Sequence, residues 1–262
     1  MGFFARWRTH KKVTAHGRVE VSERDGVRRM HLGGDTVQSA MRVNAPDTLE
    51  IAYTRSMMAF LLFHAMPADI TIVGLGGGST AKWLYRYFPQ AKIDVVEINP
   101  EVPPIAHAYF YLPVDEARLR IHIGDGAAYI ATHAQQCDLL MVDGYDEIAQ
   151  APQLTTSVFY ADCHAALKPR GVLVINLWGS DKRYHEYIKL ISESFEGVFL
   201  CLPAAERGNV IVLAFERSPN MPSWKDLHRR GRELHDLYGL EFPRFVDDLK
   251  KLNLHNEKRL II

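Results

Sequence analysis

The sequence predicts an α/β fold built on a doubly wound, mostly parallel sheet, with a small β-hairpin region at the N-terminus. Three observations support this. Short runs rich in Val, Ile and Leu alternate with segments of helical periodicity through the middle of the chain. The first of these runs, Ile70–Val73, passes directly into the glycine-rich segment Gly74–Gly78. An Asp25-Gly26 pair between two alternating segments is a strong hairpin signal.

The N-terminal region, residues 1–48, holds the predicted hairpin. Its strands are Arg18–Ser22 and Val27–Leu32, and a further extended segment follows at Val37–Met41. The basic residues that precede the hairpin, among them Arg8 and Lys11, are expected to form a solvated arm.

The central region, residues 49–218, is predicted to be the doubly wound domain. Its parallel strands are expected at Ile70–Val73, Ile93–Glu97, Ile121–Ile123, Leu139–Val142 and Val172–Asn176. Its helices are expected at Leu49–Phe63, Ser79–Phe88 and Glu101–Tyr109. A closing pair, Val198–Leu202 and Val210–Phe215, predicts an antiparallel edge.

The tail, residues 219–262, is predicted to be helical. Ser223 is a suitable N-cap for a helix that runs through Tyr238, and Gly239 is suited to end it. Apolar residues recur at near-helical spacing between those limits, so we expect the helix to dock on the sheet or on a second subunit.

Composition excludes several classes of protein. The 262 residues include 31 Lys and Arg against 31 Asp and Glu, so a broadly basic nucleic-acid binder is not expected. The three cysteines include no CxxC pair, so a disulfide framework is not expected and a cytoplasmic protein is favoured. The histidines lack the spacing of metal ligands, so a metal site is not expected either. No segment approaches the roughly 20 apolar residues of a membrane span, and the N-terminal apolar run is too short for a signal peptide.

Acidic residues follow three successive predicted strands. Glu97 ends the second strand, Asp125 follows the third and Asp143 the fourth. Ligands of open α/β sheets bind beyond the carboxyl ends of the strands, so these carboxylates are expected to point into one cleft. Each also has a structural interpretation: Glu97 as an ordinary strand-end acid, Asp125 as part of an Asp-Gly turn, and Asp143 as a cap.

Two nucleotide chemistries fit this pattern. Gly76, Gly78 and Ala81 satisfy the loose dinucleotide fingerprint, which leaves a nicotinamide oxidoreductase open. Acids on the third and fourth strands are better suited to a nucleoside that carries a positive sulfonium.

The order of these segments resembles that of the spermidine synthase (polyamine aminopropyltransferase) family, from about Val19 to Phe215. The segments that carry the resemblance are Ile72–Gly78, Val95–Pro100, His122–Gly126, Leu140–Asp146, Ser157–Tyr160 and Leu167–Leu173. The family shares the Rossmann-like fold of class I S-adenosylmethionine methyltransferases. The resemblance implies a transferase that binds a decarboxylated or intact S-adenosylmethionine-type nucleoside as its co-substrate, without a metal. It would transfer an aminopropyl group to an amine such as putrescine and would form a homodimer.

The resemblance also implies roles for individual residues. Asp143 would be the catalytic acid/base, Asp146 would help bind the polyamine, and Tyr53 would lie near the acceptor amine. Glu97 would hold the ribose, and Asp125 with Gly126 would contact adenine. The residues expected to surround the nucleoside are Gln38, Gly74, Gly76, Gly78, Glu97, Asp125 and Gly126.

Three positions depart from the family pattern. Gly77 stands where the family has an Asp that grips the aminopropyl amine and disfavours a carboxylate. Arg55 replaces an acid at the acceptor site, and Glu147 replaces the Pro after Asp146. Two alternatives therefore stay open: a methyltransferase that uses intact S-adenosylmethionine, with Arg55 receiving a carboxylate, and a catalytically silent nucleoside-binding protein.

Overall fold

The computed structural model describes residues 8–14, 17–33, 37–145, 150–204 and 208–262. The strands in this part of the chain are β1 (Arg8–Thr14), β2 (Gly17–Arg24), β3 (Val27–Leu32), β4 (Val37–Arg42), β5 (Asp69–Val73), β6 (Lys92–Glu97), β7 (Leu119–Ile123), β8 (Cys137–Val142), β9 (Leu167–Trp178), β10 (Phe199–Pro203) and β11 (Asn209–Phe215). The helices are α1 (Ala52–Met57), α2 (Ser79–Tyr87), α3 (Val102–Phe110), α4 (Gly126–Ala131), α5 (Ser157–Ala166), α6 (Tyr184–Ser194), α7 (Trp224–Tyr238) and α8 (Phe242–Leu249).

The strands form two sheets. The larger has the order β10-β11-β9-β8-β5-β6-β7, and its β9-β8-β5-β6-β7 part is parallel. The chain winds outward from β5 through β6 to β7, then returns to β8 on the other side, so the switch point lies between β5 and β8. β10 and β11 close the edge antiparallel. The predicted doubly wound, mostly parallel sheet with an antiparallel edge is confirmed.

The N-terminal hairpin is also present, within a four-stranded antiparallel sheet of order β1-β2-β3-β4. Asp25 and Gly26 both have positive φ, 53° and 72°, as the tight turn between β2 and β3 requires. The basic segment before the hairpin forms β1 over Arg8–Thr14, which pairs with β2 from Arg8 opposite Glu23 onward. The solvation expected for this arm stays a prediction. Strand pairing depends on backbone hydrogen bonds and does not require alternating apolar residues. The sequence pattern of residues 8–14 therefore did not predict a strand.

The predicted helix over Leu49–Phe63 is shorter than expected. The α-helical part is α1, and the chain tightens into a 3₁₀ helix over Met58–Leu62. All five residues of that 3₁₀ helix are buried. A segment that is apolar on every side has no solvent face, so its packing decides its conformation more than its periodicity does.

The tail begins with the predicted helix. Ser223 Oγ accepts a hydrogen bond from the backbone N–H of Asp226, and Gly239 ends α7 with a φ of 69°. Met30 of the small sheet, Ile72 of β5 and Leu234 of α7 belong to one buried apolar cluster. Within the described residues, no helix is both long and apolar enough to cross a membrane.

Candidate active site

A cavity of about 370 Å³ opens at the carboxyl edge of β5, β6 and β8. Its wall includes residues of β4 and α1, residues of the turns after β5, β6 and β8, and the first residues of α2 and α4. Of the residues predicted from sequence, those that line it are Gln38, Tyr53, Gly74, Gly76, Glu97, Gly126 and Asp143. The structure therefore brings most of the predicted site together at the switch point of the sheet.

Gly74 allows the first and fourth strand ends to approach each other. Its N–H donates to the carbonyl of Val96 and the N–H of Asp143 donates to the carbonyl of Val73, both at 2.9 Å. Gly74 has a φ of 98°, and a Cβ there would overlap the carbonyl oxygen of Asp143. A side chain at this position would therefore push Asp143 out of place.

Gly78 and Asp125 are not among the cavity-lining residues. Gly78 is the N-cap of α2, and a Cβ there would lie 2.7 Å from Leu112. Asp125 caps α4, because its Oδ1 accepts hydrogen bonds from the N–H groups of Ala127 and Ala128 at 2.7 and 3.2 Å. Both residues therefore have a local structural role at a helix start, and the adenine contact of Asp125 stays a prediction.

Glu97 is a buried acidic residue whose side chain is held in a fixed position. Its Oε2 accepts from the N–H of Leu75 and its Oε1 from the N–H of Asn99, both at 2.9 Å. The side chain is 6% exposed. These two bonds fix the orientation of the Glu97 carboxyl group at the cavity wall.

Asp143 is held by two side-chain donors. The Tyr53 hydroxyl donates to Oδ2 at 3.0 Å and the Asn176 amide donates to Oδ1 at 2.9 Å. Removal of the carboxylate from water raises the pKa of Asp143 above its ordinary value, and the two hydrogen bonds act in the opposite direction. The arrangement gives a carboxylate at the cavity wall that is more basic than a solvated one.

Arg55 points away from the cavity, so the interpretation that it meets the acceptor amine or a ligand carboxylate is wrong. Its Nε donates to Glu241 at 2.9 Å, and its Nη1 donates to the carbonyls of Leu49 and Glu50. Residues two positions apart on an α-helix face nearly opposite directions. Because Tyr53 faces the cavity, Arg55 faces the tail.

The described lining of the cavity carries charge of one sign. Its ionisable acids are Glu97 and Asp143, and it includes no Lys, Arg or His from the described ranges. Asp146, predicted to bind the polyamine, lies outside the described residues. In the part of the chain that the structure describes, no group of three or more His, Cys, Asp or Glu is placed to hold a metal ion. The cavity favours a cationic ligand.

The space beside Gly77 is filled by neighbouring side chains. The N–H of Gly77 donates to the Ser39 hydroxyl at 2.8 Å. A Cβ at Gly77 would lie 2.8 Å from the Phe110 ring and 3.0 Å from Ser39 Cβ. An Asp at this position would therefore need Phe110 or Ser39 to move.

We expect Gly77→Ala to lower the free energy of unfolding by about 1–3 kcal/mol, because it overpacks the contact with Phe110. Denaturant unfolding measures this. Gly124→Ala is the matched control, since a Cβ there meets nothing within 4 Å. Combining Gly77→Ala with Phe110→Leu should cost less than the sum of the two single changes. An additive result would show that crowding by Phe110 is not the cause.

Sequence reasoning did not assign Ser39, Asn176 or Asn209 to the site. Asn176 ends the predicted fifth strand, so the strand-end argument used for the acids would have found it. Asn209 has no local signal, because only the pairing of β11 with β9 brings it to Asn176, where its amide donates to Asn176 Oδ1 at 2.9 Å.

Comparison with known proteins gives consistent matches. A family model described as the spermine/spermidine synthase domain matches residues 50–217. The chain is 42% identical over 257 residues to a polyamine aminopropyltransferase from Chromobacterium violaceum, with 98% of each chain covered.

Two solved structures share the fold. A probable spermidine synthase from Corynebacterium glutamicum gives a TM-score of 0.70 at 21% identity, with 95% of each chain covered. A spermidine synthase in complex with the transition-state analogue AdoDATO gives a TM-score of 0.67 at 21% identity, with 92% of this chain and 88% of that chain covered.

Proposed function

The chain belongs to the spermine/spermidine synthase family, and we propose that it is a polyamine aminopropyltransferase. Its cavity would bind decarboxylated S-adenosylmethionine and an amine such as putrescine. The family relation supports transfer of the aminopropyl group between these two substrates. The choice of nucleoside is our own inference from the geometry, and the roles of individual residues are those that the family resemblance implies.

One observation favours decarboxylated over intact S-adenosylmethionine as the nucleoside substrate. The charged side chains of the described cavity lining are Glu97 and Asp143, both acids. Decarboxylated S-adenosylmethionine has a positive sulfonium and a positive amine, whereas the intact form adds a carboxylate that would need a cation or N–H donors. The only basic side chain that the sequence suggested for that task, Arg55, is bound to Glu241. The cavity is therefore better matched to the decarboxylated form.

In the proposed reaction the neutral amine attacks the methylene carbon next to the sulfonium. A C–N bond forms, the C–S bond breaks with its electron pair going to sulfur, and methylthioadenosine leaves. Before the attack, the Asp143 carboxylate takes one proton from the bound ammonium, which makes that amine neutral. The secondary ammonium formed by the attack keeps its protons, and Asp143 releases the proton it accepted to solvent. Diamines are mostly protonated at neutral pH, so a carboxylate that binds the cation and accepts its proton serves both steps. Tyr53 holds one oxygen of that carboxylate at 3.0 Å.

The other predicted residues would hold the substrates. Glu97 would accept hydrogen bonds from the ribose hydroxyls, in line with an acid about 20 residues after a glycine turn. Gln38 and the glycines Gly74, Gly76 and Gly126 would surround the nucleoside. Asp146 would meet the far amine of the polyamine, and Tyr53 the near one.

Calorimetry with methylthioadenosine, decarboxylated S-adenosylmethionine and the intact form tests the nucleoside assignment. We expect the decarboxylated form to bind at least about tenfold more tightly than the intact form, because a third anion would face two carboxylates. Equal affinity for the intact form would favour the methyltransferase alternative. Failure of all three to bind would remove every transferase hypothesis, and binding without turnover on a panel of amines would favour the catalytically silent alternative.

Two further expectations extend the proposal. We infer a homodimer from the family relation, and sedimentation of the purified chain tests it. We also infer a cytoplasmic location, which is consistent with the free and buried state of Cys137, Cys163 and Cys201. Burial raises the pKa of each of these thiols, so they are not suited to act as nucleophiles.

A further inference from the structure

A row of three polar side chains crosses the carboxyl edge of the larger sheet. Asn209 Nδ2 donates to Asn176 Oδ1 at 2.9 Å, and Asn176 Nδ2 donates to Asp143 Oδ1 at 2.9 Å. Asn176 and Asn209 are 2% and 5% exposed. The row has a direction, because each amide donates toward the carboxylate.

The sheet register explains why these side chains meet. On the antiparallel strands β9 and β11, Asn209 lies opposite Trp178 and Asn176 lies opposite Ile211. Asn209 is therefore the diagonal neighbour of Asn176 on one face of the sheet, within reach of a short amide. Asp143 follows β8, the parallel neighbour of β9.

We propose that Asn176 is a positioning residue for Asp143 and that Asn209 fixes the direction of the Asn176 amide. An amide has a donor end and an acceptor end, and only the donor end stabilises a carboxylate. Turning the Asn176 amide over would bring its NH2 against that of Asn209 and its oxygen against Asp143. The row thus favours the ionised form of the Asp143 carboxyl over the protonated form and fixes one of its oxygens. This inference rests on the proposed function, in which Asp143 accepts the proton of the amine.

Other groups also face Asp143. Tyr53 on α1 donates to its second oxygen, and the Tyr145 hydroxyl donates to the backbone carbonyl of Asn176 at 2.9 Å. Glu97 lines the same cavity from β6. Burial raises the pKa of Asp143, while the bonds from Asn176 and Tyr53 lower it. Loss of the Asn176 donor is therefore expected to raise that pKa further.

The test is the pH profile of kcat/KM in Asn176→Leu, Asn209→Leu and the double variant. Asn176→Leu should move the midpoint of the acidic limb upward by about one pH unit, the scale of one charge-assisted hydrogen bond. Asn209→Leu should move it in the same direction by less. The double variant should shift no further than Asn176→Leu alone, because Asn209 acts through Asn176.

A matched control separates this role from general destabilisation. The amide of Asn253 bonds the backbone of Cys201 and Leu249 and is not part of the cavity lining. Asn253→Ala should lower the melting temperature and leave the acidic limb in place. If Asn176→Leu does not fold, Asn176→Ser, which is too short to reach Asp143, takes its place.

The result that overturns the inference is an unmoved acidic limb in the folded Asn176 variant, or shifts that add in the double variant. Carbon-13 NMR titration of the Asp143 carboxyl compares the pKa of Asp143 in the wild-type chain and in these variants without requiring turnover. If the wild-type chain transfers no aminopropyl group, the proposed function fails. The NMR titration then still decides the Asn209–Asn176–Asp143 row by itself.

Discussion

Asp143→Asn is expected to lower kcat/KM for aminopropyl transfer by about 10²- to 10⁴-fold, the range that general acid–base catalysis contributes. An amide of nearly the same shape can neither accept the amine proton nor balance its charge. Steady-state kinetics with putrescine as the acceptor measures the loss. Binding of methylthioadenosine, measured by calorimetry, should change little, because the nucleoside is assigned to other residues.

The control is a buried acid far from the cavity. Asp248 on α8 is 6% exposed and pairs with Lys251 and Arg244. Asp248→Asn should leave kcat/KM unchanged and lower the melting temperature. Wild-type turnover in Asp143→Asn would remove Asp143 from the mechanism.

The pH dependence follows from the same carboxylate. Burial raises the pKa of Asp143, so as pH falls through that pKa the group becomes protonated and kcat/KM falls. The effect on stability has the opposite sign. A carboxyl whose pKa is higher in the folded chain favours folding below its unfolded pKa, and this contribution is lost as pH rises through the folded pKa. We therefore expect kcat/KM to fall at low pH, while the contribution of Asp143 to the free energy of unfolding does not fall there.

Glu97→Gln is expected to weaken binding of methylthioadenosine by about 10- to 100-fold, the cost of losing charged hydrogen bonds and leaving a buried donor unpaired. Glu97 accepts from the N–H groups of Leu75 and Asn99. A glutamine can accept with one oxygen only, so its NH2 would face one of these N–H groups. Calorimetry measures the change, and KM for the nucleoside should rise more than kcat falls.

An exposed glutamate provides the control for this second variant. Glu193 lies on α6 and makes only a long surface pair with Lys189 at 3.7 Å. Glu193→Gln should leave the nucleoside affinity unchanged. An unchanged affinity in Glu97→Gln would remove Glu97 from the nucleoside site.

The sequence was informative where a local pattern reports on position in the sheet. Buried apolar runs followed by glycine or an acid placed Gly74, Glu97 and Asp143 at strand ends, and parallel strands bring those ends to one edge. Asp25-Gly26 placed the hairpin, because few dipeptides accept positive φ at both positions.

The sequence was less informative where contacts between separate elements decide which side chains meet. Arg55 stands two positions after Tyr53, and only the helical path of α1 shows that the two face opposite ways. The Asn209–Asn176 bond depends on the register of β11 against β9, which has no local signature. The crowding of Gly77 by Phe110 joins two segments 33 positions apart in the chain.

The most direct test of the central claim is product analysis after incubation of the purified chain with putrescine and decarboxylated S-adenosylmethionine. The proposed function predicts spermidine and methylthioadenosine in equal amounts, each absent when either substrate is omitted and both strongly reduced with Asp143→Asn. Nucleoside binding without any amine product, or a methylated product formed from intact S-adenosylmethionine, would contradict it.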